Sequence, residues 1–370
     1  MPIVHASARA DGCFGLTLPA YLLESIAMKD VIDDIDRWLA MDAGPIALAT
    51  VIDTWGSAPR KVGAKLAFTA GGAAISGSVS GGCVEGAVIG AGDETLATGR
   101  PQLLHFGVAD EMAWGVGLAC GGTIEVFVEC LDVATCAAAR RWIGECASGA
   151  IVTVIRGPEG LLGRKLALGR DGLIVGALGF GLDDAAVRLA REAQHSTRRQ
   201  LSDEVEVFID VLRPSPTLVV IGGAHVAIPL TQMAKLLGYQ TVLIDPRRAF
   251  ANNTRFPDVD RLISAYPDKA LVAEPPGKDT AIVTLSHDPK IDDPALRVAL
   301  ESDAFYIGAL GSRKTTARRR ERLADMGFTA EQQARIHAPI GLDIGADNPE
   351  EIALAIMAEI VAVYRGRAGH

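Results

Sequence analysis

The first half of the chain contains the same pattern twice, and this repeat limits the folds that it can adopt. Three pairs of similar segments define it: ALATVI (47–52) and AIVTVI (150–155), GAKLAF (63–68) and GRKLAL (163–168), and EVFVECL (125–131) and EVFIDVL (206–212). Their β-branched runs and Gly or Asp turns predict three strands, a helix and a final strand in each copy. We therefore expect two related α+β units that pack as one domain ending near Leu212.

Two cysteines in glycine-rich turns of the first copy have no counterpart in the second. Cys83 lies in GSVSGGCVEG (77–86), where the second copy has GALGFGLDDA (176–185). Cys120 lies in a segment that is inserted only in the first copy. Glycines clear space for a close neighbour, which favours ligand contacts at these turns. The alternative for each cysteine is a buried structural thiol. The candidate ligand-contacting residues beside the two thiols are Gly81, Gly82, Glu85 and Gly121.

A basic loop, TWGSAPRKVGAK (54–65), adds Arg60 to this set of candidates. Guanidinium groups bind anions well, so the loop is a candidate holder of an anionic ligand beside the thiols. The alternative is a solvated loop with no ligand.

The second half of the chain opens with a βαβ pattern of the dinucleotide-binding type. RPSP (213–216) marks a linker, and an apolar strand, a glycine turn, an amphipathic helix and a second strand follow it. Asp245 lies about 20 residues beyond the glycine turn, where such folds place an acid that binds a ribose. Either a phosphate-bearing ligand or a Rossmann scaffold without one fits this pattern. The residues predicted to contact the ligand are Gly222, Gly223, Ala224, Val226, Asp245 and Arg247.

Later strands of this half also end in residues that suit a ligand site. Ligands of open parallel sheets bind beyond the carboxyl ends of the strands. His225, His287 and Asp288 are candidates there for acid–base or ligand-binding work, the alternative being structural histidines. The arginine run at 318–320 is predicted to be a solvated helix face. Further candidate cofactor-binding residues are Gly308, Gly311, Ser312 and Arg313.

Composition excludes several classes of function. A net charge of −9 argues against nucleic acid as a partner. The six cysteines are too sparse for a disulfide scaffold and favour a reducing cytoplasm. Residues 1–27 read as neither a signal peptide nor a membrane span, and no other apolar run reaches spanning length, so no membrane association is expected. The predicted organisation is an N-terminal extension (1–27), the two-unit domain (28–213) and a Rossmann-like doubly wound parallel sheet (214–370).

Five motifs together carry a resemblance to a known family: GSAPRKVGAK, GSVSGGCVEG, GLACGG, YIGALGSRKT and PIGLDIGADNPEEIALAI. They resemble the XdhC/CoxI family of accessory factors for xanthine dehydrogenase-type enzymes, over nearly the whole chain from about residue 28. The resemblance implies a protein that binds molybdenum cofactor, supports its sulfuration by a cysteine desulfurase and passes it to the apo molybdenum hydroxylase. It also implies that Cys83 and Cys120 correspond to the two cysteines typical of the family. Either of them could contact molybdenum.

The sequence leaves open the form of the cofactor, and it allows two alternative functions. Molybdopterin itself, or a dinucleotide form of it, would suit the Rossmann crevice through its phosphates. One alternative is an NAD(P)-dependent oxidoreductase acting on a small substrate, which the βαβ pattern suggests. The other is a redox sensor in which Cys83 and Cys120 form a reversible disulfide. We also expect a homodimer, because a two-copy domain offers exposed apolar strands.

Overall fold

The two copies of the repeat form two five-stranded antiparallel sheets with the same strand order. The computed structural model describes residues 26–58, 60–107, 122–145 and 147–367. The first unit comprises α1 (Ile26–Ala40), β1 (Ile46–Trp55), β2 (Lys65–Thr69), β3 (Ile75–Gly77), α2 (Glu85–Thr98), β4 (Gln102–Phe106) and β5 (Thr123–Cys130). The second comprises α3 (Val133–Gly144), β6 (Gly149–Arg156), β7 (Lys165–Gly169), β8 (Ile174–Gly176), α4 (Asp183–Glu192), β9 (Thr197–Gln200) and β10 (Glu206–Leu212).

The strand order is β3-β2-β1-β5-β4 in the first sheet and β8-β7-β6-β10-β9 in the second. The expected pair of related units is therefore confirmed. Each unit has one strand more than the repeat predicted, because β4 and β9 follow the helices. Both are short edge strands whose residues are mostly partly exposed. They therefore lack the regular pattern of apolar residues from which a strand is predicted.

Alternation along β1 and β6 explains how the layers pack. Ala47, Ala49 and Val51 face the core beneath α2, whereas Leu48 faces the space between the two sheets. The second sheet repeats this arrangement against α4. Helices α1 and α3 fill part of the space between the sheets. In the rest of the space between the sheets, the two sheets contact each other directly through apolar side chains, namely Ile52, Phe127, Ile155 and Phe208.

Two lysines cross this inner layer and link the units reciprocally. Lys65 of β2 pairs with Asp210 of the second unit at 2.8 Å, and Lys165 of β7 pairs with Glu129 of the first unit at 2.7 Å. All four side chains are at least nine-tenths buried. Each lysine also donates to a threonine of its own unit. The two ion pairs occupy equivalent positions of the repeat, so the buried charges are neutralised across the interface between the units.

A six-stranded parallel sheet forms the rest of the chain. Its elements are β11 (Thr217–Ile221), α5 (Ala227–Leu236), β12 (Gln240–Ile244), β13 (Arg261–Ile263), α6 (Pro267–Ala273), β14 (Thr280–Thr284), α7 (Pro289–Glu301), β15 (Tyr306–Ala309), α8 (Arg313–Asp325), α9 (Ala330–Gln333), β16 (Ile336–His337) and α10 (Pro349–Tyr364). The strand order β13-β12-β11-β14-β15-β16 is that of the Rossmann fold. The predicted fold class is thus confirmed. No described helix is long and apolar enough to cross a membrane.

Candidate functional site

Cys83 is exposed on the turn that joins β3 to α2, two residues before the helix begins. The turn depends on glycine: Gly81 has a φ of 81° and Gly82 a φ of 118°. A β-carbon at either position would meet no atom of the described residues within 4 Å, so no described side chain fills the space beside the thiol. The exposure of Cys83 does not fit the alternative of a buried structural thiol.

The side chain of Glu85 holds this turn in place. It accepts hydrogen bonds from the Ser78 hydroxyl at 2.7 Å, the Ser80 amide at 3.0 Å, the Gly82 amide at 2.9 Å and the Ser80 hydroxyl. Burial raises the pKa of Glu85, but these hydrogen bonds outweigh burial and lower the pKa to about 2. Glu85 therefore braces the turn as a carboxylate, and its oxygens are occupied by the chain itself.

The second unit shows which of these features are additional to the fold. There Asp183 takes the position of Glu85 and accepts from the amides of Leu178 and Gly179 at 2.7 and 3.1 Å. The two serines are replaced by Ala177 and Gly179. The fold thus needs an acid at the start of the helix, whereas the serine hydroxyls and the thiol belong to the first unit alone.

Arg60 lies against the Cys83 turn but is engaged by the protein. Its guanidinium donates to the Ser78 carbonyl at 3.2 Å and pairs with Asp30 of α1 at 3.0 Å. The structure brings Arg60 to the predicted place, where it ties the turn to α1.

Strand β5 is preceded by Gly122, whose β-carbon would lie 2.8 Å from the Trp55 carbonyl oxygen. Cys120 and Gly121 lie outside the described residues.

The predicted dinucleotide turn is closely covered by the chain itself. Gly222 has a φ of 97°, and a β-carbon there would meet the Ser286 backbone at 2.8 Å. A β-carbon on Gly223 would lie 2.3 Å from the carbonyl oxygen of Phe250. Arg255 fixes this cover by donating to the carbonyls of Gly223 and Phe250 at 2.7 and 2.9 Å. Both glycines are therefore required by close packing of the turn.

The Asp245 carboxylate, predicted to bind a ribose, is fully buried and bonded within the protein. It accepts from the Gly223 amide at 2.9 Å and from the Arg247 guanidinium at 2.9 and 2.8 Å. Burial raises the pKa of Asp245, and the bonds from Arg247 and Gly223 outweigh it, so the pKa falls below its usual value. The Arg247 guanidinium also stacks on the Phe250 ring, 4.2 Å from its centroid. A dinucleotide ribose does not fit at Asp245 while these contacts are present.

The two candidate histidines lie at the carboxyl ends of neighbouring strands. His225 is exposed between β11 and α5, and His287 is exposed just after β14 with a φ of 59°. Asp288 caps α7 by accepting from the Lys290 amide at 2.9 Å. Ala224 packs partly against the core, and Val226 is buried at the start of α5. These positions leave the two imidazoles open to a ligand and commit Asp288 to a structural hydrogen bond.

The candidates near β15 divide into packing and surface residues. A β-carbon on Gly308 would lie 2.4 Å from the side chain of Ile340, so this glycine serves close packing. Gly311 has a φ of 151°, and Ser312 caps α8 by accepting from the Thr315 amide at 3.2 Å. Arg313 is exposed at the first position of α8. Gly311, Ser312 and Arg313 therefore adjoin a helix N-terminus at the ligand-binding edge of the sheet.

The prediction of a solvated arginine run is wrong for Arg319. This side chain is 3% exposed, donates to the Leu310 carbonyl at 3.0 Å and lies 3.7 Å from the buried Asp292. Burial lowers the pKa of Arg319 and raises that of Asp292. Helical spacing could have predicted the burial of Arg319, because Thr316, Arg319 and Leu323 lie on the same, buried face of α8.

The described residues contain no group of three or more His, Cys, Asp or Glu side chains that could hold a metal ion.

Two features define the class of this protein. One is an α+β domain of two repeated units, of which one presents a braced, exposed thiol. The other is a Rossmann domain that follows it. The sequence model of the XdhC and CoxI family matches residues 39–107, and that of the XdhC Rossmann domain matches residues 218–360. A Bacillus subtilis protein, named as a probable subunit of xanthine dehydrogenase, is 30% identical over 330 residues, which are 87% of this chain and 94% of that protein. The chain therefore belongs to the XdhC and CoxI family.

Two further comparisons agree with this assignment. The Escherichia coli protein named molybdenum cofactor insertion chaperone PaoD is 27% identical over 316 residues, 85% of this chain and 82% of that protein. A crystal structure of a protein named xanthine dehydrogenase from Bacillus halodurans matches with a TM-score of 0.74 and 25% identity. That match covers 91% of this chain and 96% of the other.

Proposed function

We propose that this protein binds molybdenum cofactor as its cargo and delivers it to an apo molybdenum hydroxylase of the xanthine dehydrogenase type. The proposal rests on the exposed Cys83 thiol, which lies on a turn braced by Glu85. No described residue fills the space at Gly81 and Gly82 of that turn. The names of the Bacillus subtilis and Escherichia coli relatives support the same cargo and the same kind of client.

The parts of the turn have separate roles in this proposal. The Cys83 thiolate is a soft ligand that suits molybdenum. Alternatively, it attacks the outer sulfur of a partner's persulfide, so that the partner's cysteine leaves as a thiolate. Glycines allow the bulky cofactor to come close, and the Glu85 hydrogen bonds hold the thiol in a fixed position before the cargo arrives. Cys120 is the second family cysteine and has the same proposed role. We further propose that a cysteine desulfurase adds the terminal sulfur while this protein, as a cytoplasmic homodimer, holds the cofactor.

Cargo binding is tested by loading the purified protein with molybdenum cofactor and measuring bound molybdenum and bound pterin by mass spectrometry. We expect stoichiometric binding by the wild type and loss of most of it in Cys83→Ser. Cys130→Ser is the matched control, because Cys130 is also exposed but lies at the end of β5. Equal loading of wild type and Cys83→Ser would overturn the role of this thiol.

The alternative of an NAD(P)-dependent oxidoreductase is tested with the same protein preparation. Because Asp245 is buried and bonded to Arg247, we expect no saturable binding of NADH or NADPH, measured by the fluorescence of the reduced nicotinamide. Tight nicotinamide binding without pterin binding would favour the oxidoreductase, and His225 and His287 would then be the residues to mutate.

A further inference from the structure

A cleft with a volume of about 470 Å³ lies between the second repeat unit and the start of the Rossmann domain. Its walls are the start of β6, the turn after β7, the last turn of α4 and the linker that follows β10. Asp279, which directly precedes β14, closes the side formed by the Rossmann domain. The volume lies in the range of small-molecule sites, and the cleft shares no residue with the Cys83 turn.

Three arginines line this cleft in a protein whose net charge is −9. They come from separate elements: Arg170 from the turn after β7, Arg191 from α4 and Arg213 from the linker. Arg213 donates to the Gln194 carbonyl at 2.5 Å, which directs it along the cleft wall. Among the described residues, neither Arg170 nor Arg191 forms an ion pair. Asp279 is the single acid among the described residues of the lining, so the cleft is locally basic.

The first repeat unit serves as an internal comparison. In the first unit Ile46 pairs with Thr69, and in the second unit Gly149 pairs with Gly169 at the equivalent position. Arg170, the residue after Gly169, therefore corresponds to Ala70, the residue after Thr69.

The other two arginines align with aspartates. The buried positions of the two helices align Arg191 with Asp93. Strand register aligns Arg213 with Asp132, because Cys130 pairs with Ala47 as Val211 pairs with Ala150. Both aspartates are used locally: Asp93 accepts from the Gly71 amide at 2.7 Å, and Asp132 caps α3. The fold therefore does not require a base at any of the three positions, and the convergence of three arginines is a property of the second unit alone.

We propose that this cleft binds a phosphate-bearing small molecule through Arg170, Arg191 and Arg213. The planar guanidinium forms two parallel hydrogen bonds with phosphate oxygens, and it keeps its charge at every physiological pH. Three arginines and one aspartate are the charged residues among the described lining, and a diphosphate or a nucleotide complements this excess of basic residues. Two sources of such a phosphate exist, the molybdenum cofactor itself and a free nucleotide or phosphate, and the experiment separates them.

Binding of pyrophosphate to the full-length protein is measured by titration calorimetry at constant ionic strength. We expect saturable binding that weakens about 10-fold or more in Arg170→Ala/Arg191→Ala, because two charge-assisted hydrogen-bond donors are lost. Asp279→Asn should strengthen binding, because it removes the repulsive carboxylate. Arg318→Ala/Arg320→Ala removes two exposed arginines from α8 and is the matched control, for which no change is expected.

The second measurement is the loading of molybdenum cofactor by Arg170→Ala/Arg191→Ala. Loss of both pyrophosphate binding and cofactor loading would assign the cleft to the phosphate of the cargo. Loss of pyrophosphate binding with normal loading would assign it to a free phosphate ligand, and Cys83→Ser is expected to leave pyrophosphate binding unchanged. Absence of pyrophosphate binding, or equal binding by the wild type and Arg170→Ala/Arg191→Ala, would overturn the proposal whatever the role of Cys83.

Discussion

At the scale of single residues, Glu85 determines how Cys83 is presented. Glu85→Ala removes the acceptor for the serine hydroxyls and for the amides of the turn, so we expect a loss of about 1–3 kcal/mol in the free energy of unfolding. Faster amide hydrogen exchange at Gly81 and Gly82 should accompany it. Asp183→Ala is the matched control: it removes an acceptor that takes two amide bonds, and it should leave exchange at Gly81 and Gly82 unchanged. Unchanged exchange in Glu85→Ala would contradict the bracing role.

Glu85 also predicts a pH dependence. Its pKa is lowered to about 2 in the folded protein from an ordinary value of 4.5, so the ionised form is favoured by folding. The resulting stabilisation is fully present above pH 4.5 and is lost as the pH falls toward 2. We expect the stability difference between wild type and Glu85→Gln, measured by urea denaturation, to shrink over that interval. A difference that stays constant from about pH 6 to about pH 3 would contradict this assignment.

Single residues also show the limits of the sequence. The exposed thiol at Cys83 was predictable, because glycines and the missing counterpart in the second unit marked it. The engagement of Asp245 by Arg247 was not, since the same acid at the same spacing also binds ribose in dinucleotide sites. Arg319 was misread because charge alone suggested a solvated face, whereas the helical period placed it inside.

At the scale of elements, the reciprocal ion pairs between the sheets predict an unequal response to single and double substitution. Lys65→Met leaves the Asp210 carboxylate buried without its cation and should cost about 3–5 kcal/mol. Lys65→Met/Asp210→Leu removes both charges and should lie within about 2 kcal/mol of the wild type. Tryptophan fluorescence during urea denaturation measures this, since all four tryptophans lie between Trp38 and Trp142. A double variant as unstable as the single one would contradict it.

The elements themselves were largely predictable from the sequence. Strands β1, β6, β11 and β14 were predictable from their apolar, β-branched runs, because most residues of each strand are buried on one face or the other. The edge strands β4 and β9 were missed, since pairing with β5 and β10 stabilises them more than their own apolar residues do. The order of strands in each sheet required the structure, because it depends on contacts between distant segments.

At the scale of the whole molecule, the cores divide at the linker. Among the described residues, two hydrophobic clusters contain only residues 218–363, and four others contain only residues 28–212. A segment with a complete core of its own can fold alone. We therefore expect residues 214–370, produced separately, to give a cooperative thermal transition by circular dichroism and a dispersed amide spectrum by NMR. The full chain should then show separate transitions, with tryptophan fluorescence following the two-unit domain and circular dichroism following both. A fragment that lacks cooperative unfolding would mean that contacts across the linker, such as Lys29 with Ser215 at 2.9 Å, are needed for the Rossmann sheet to form.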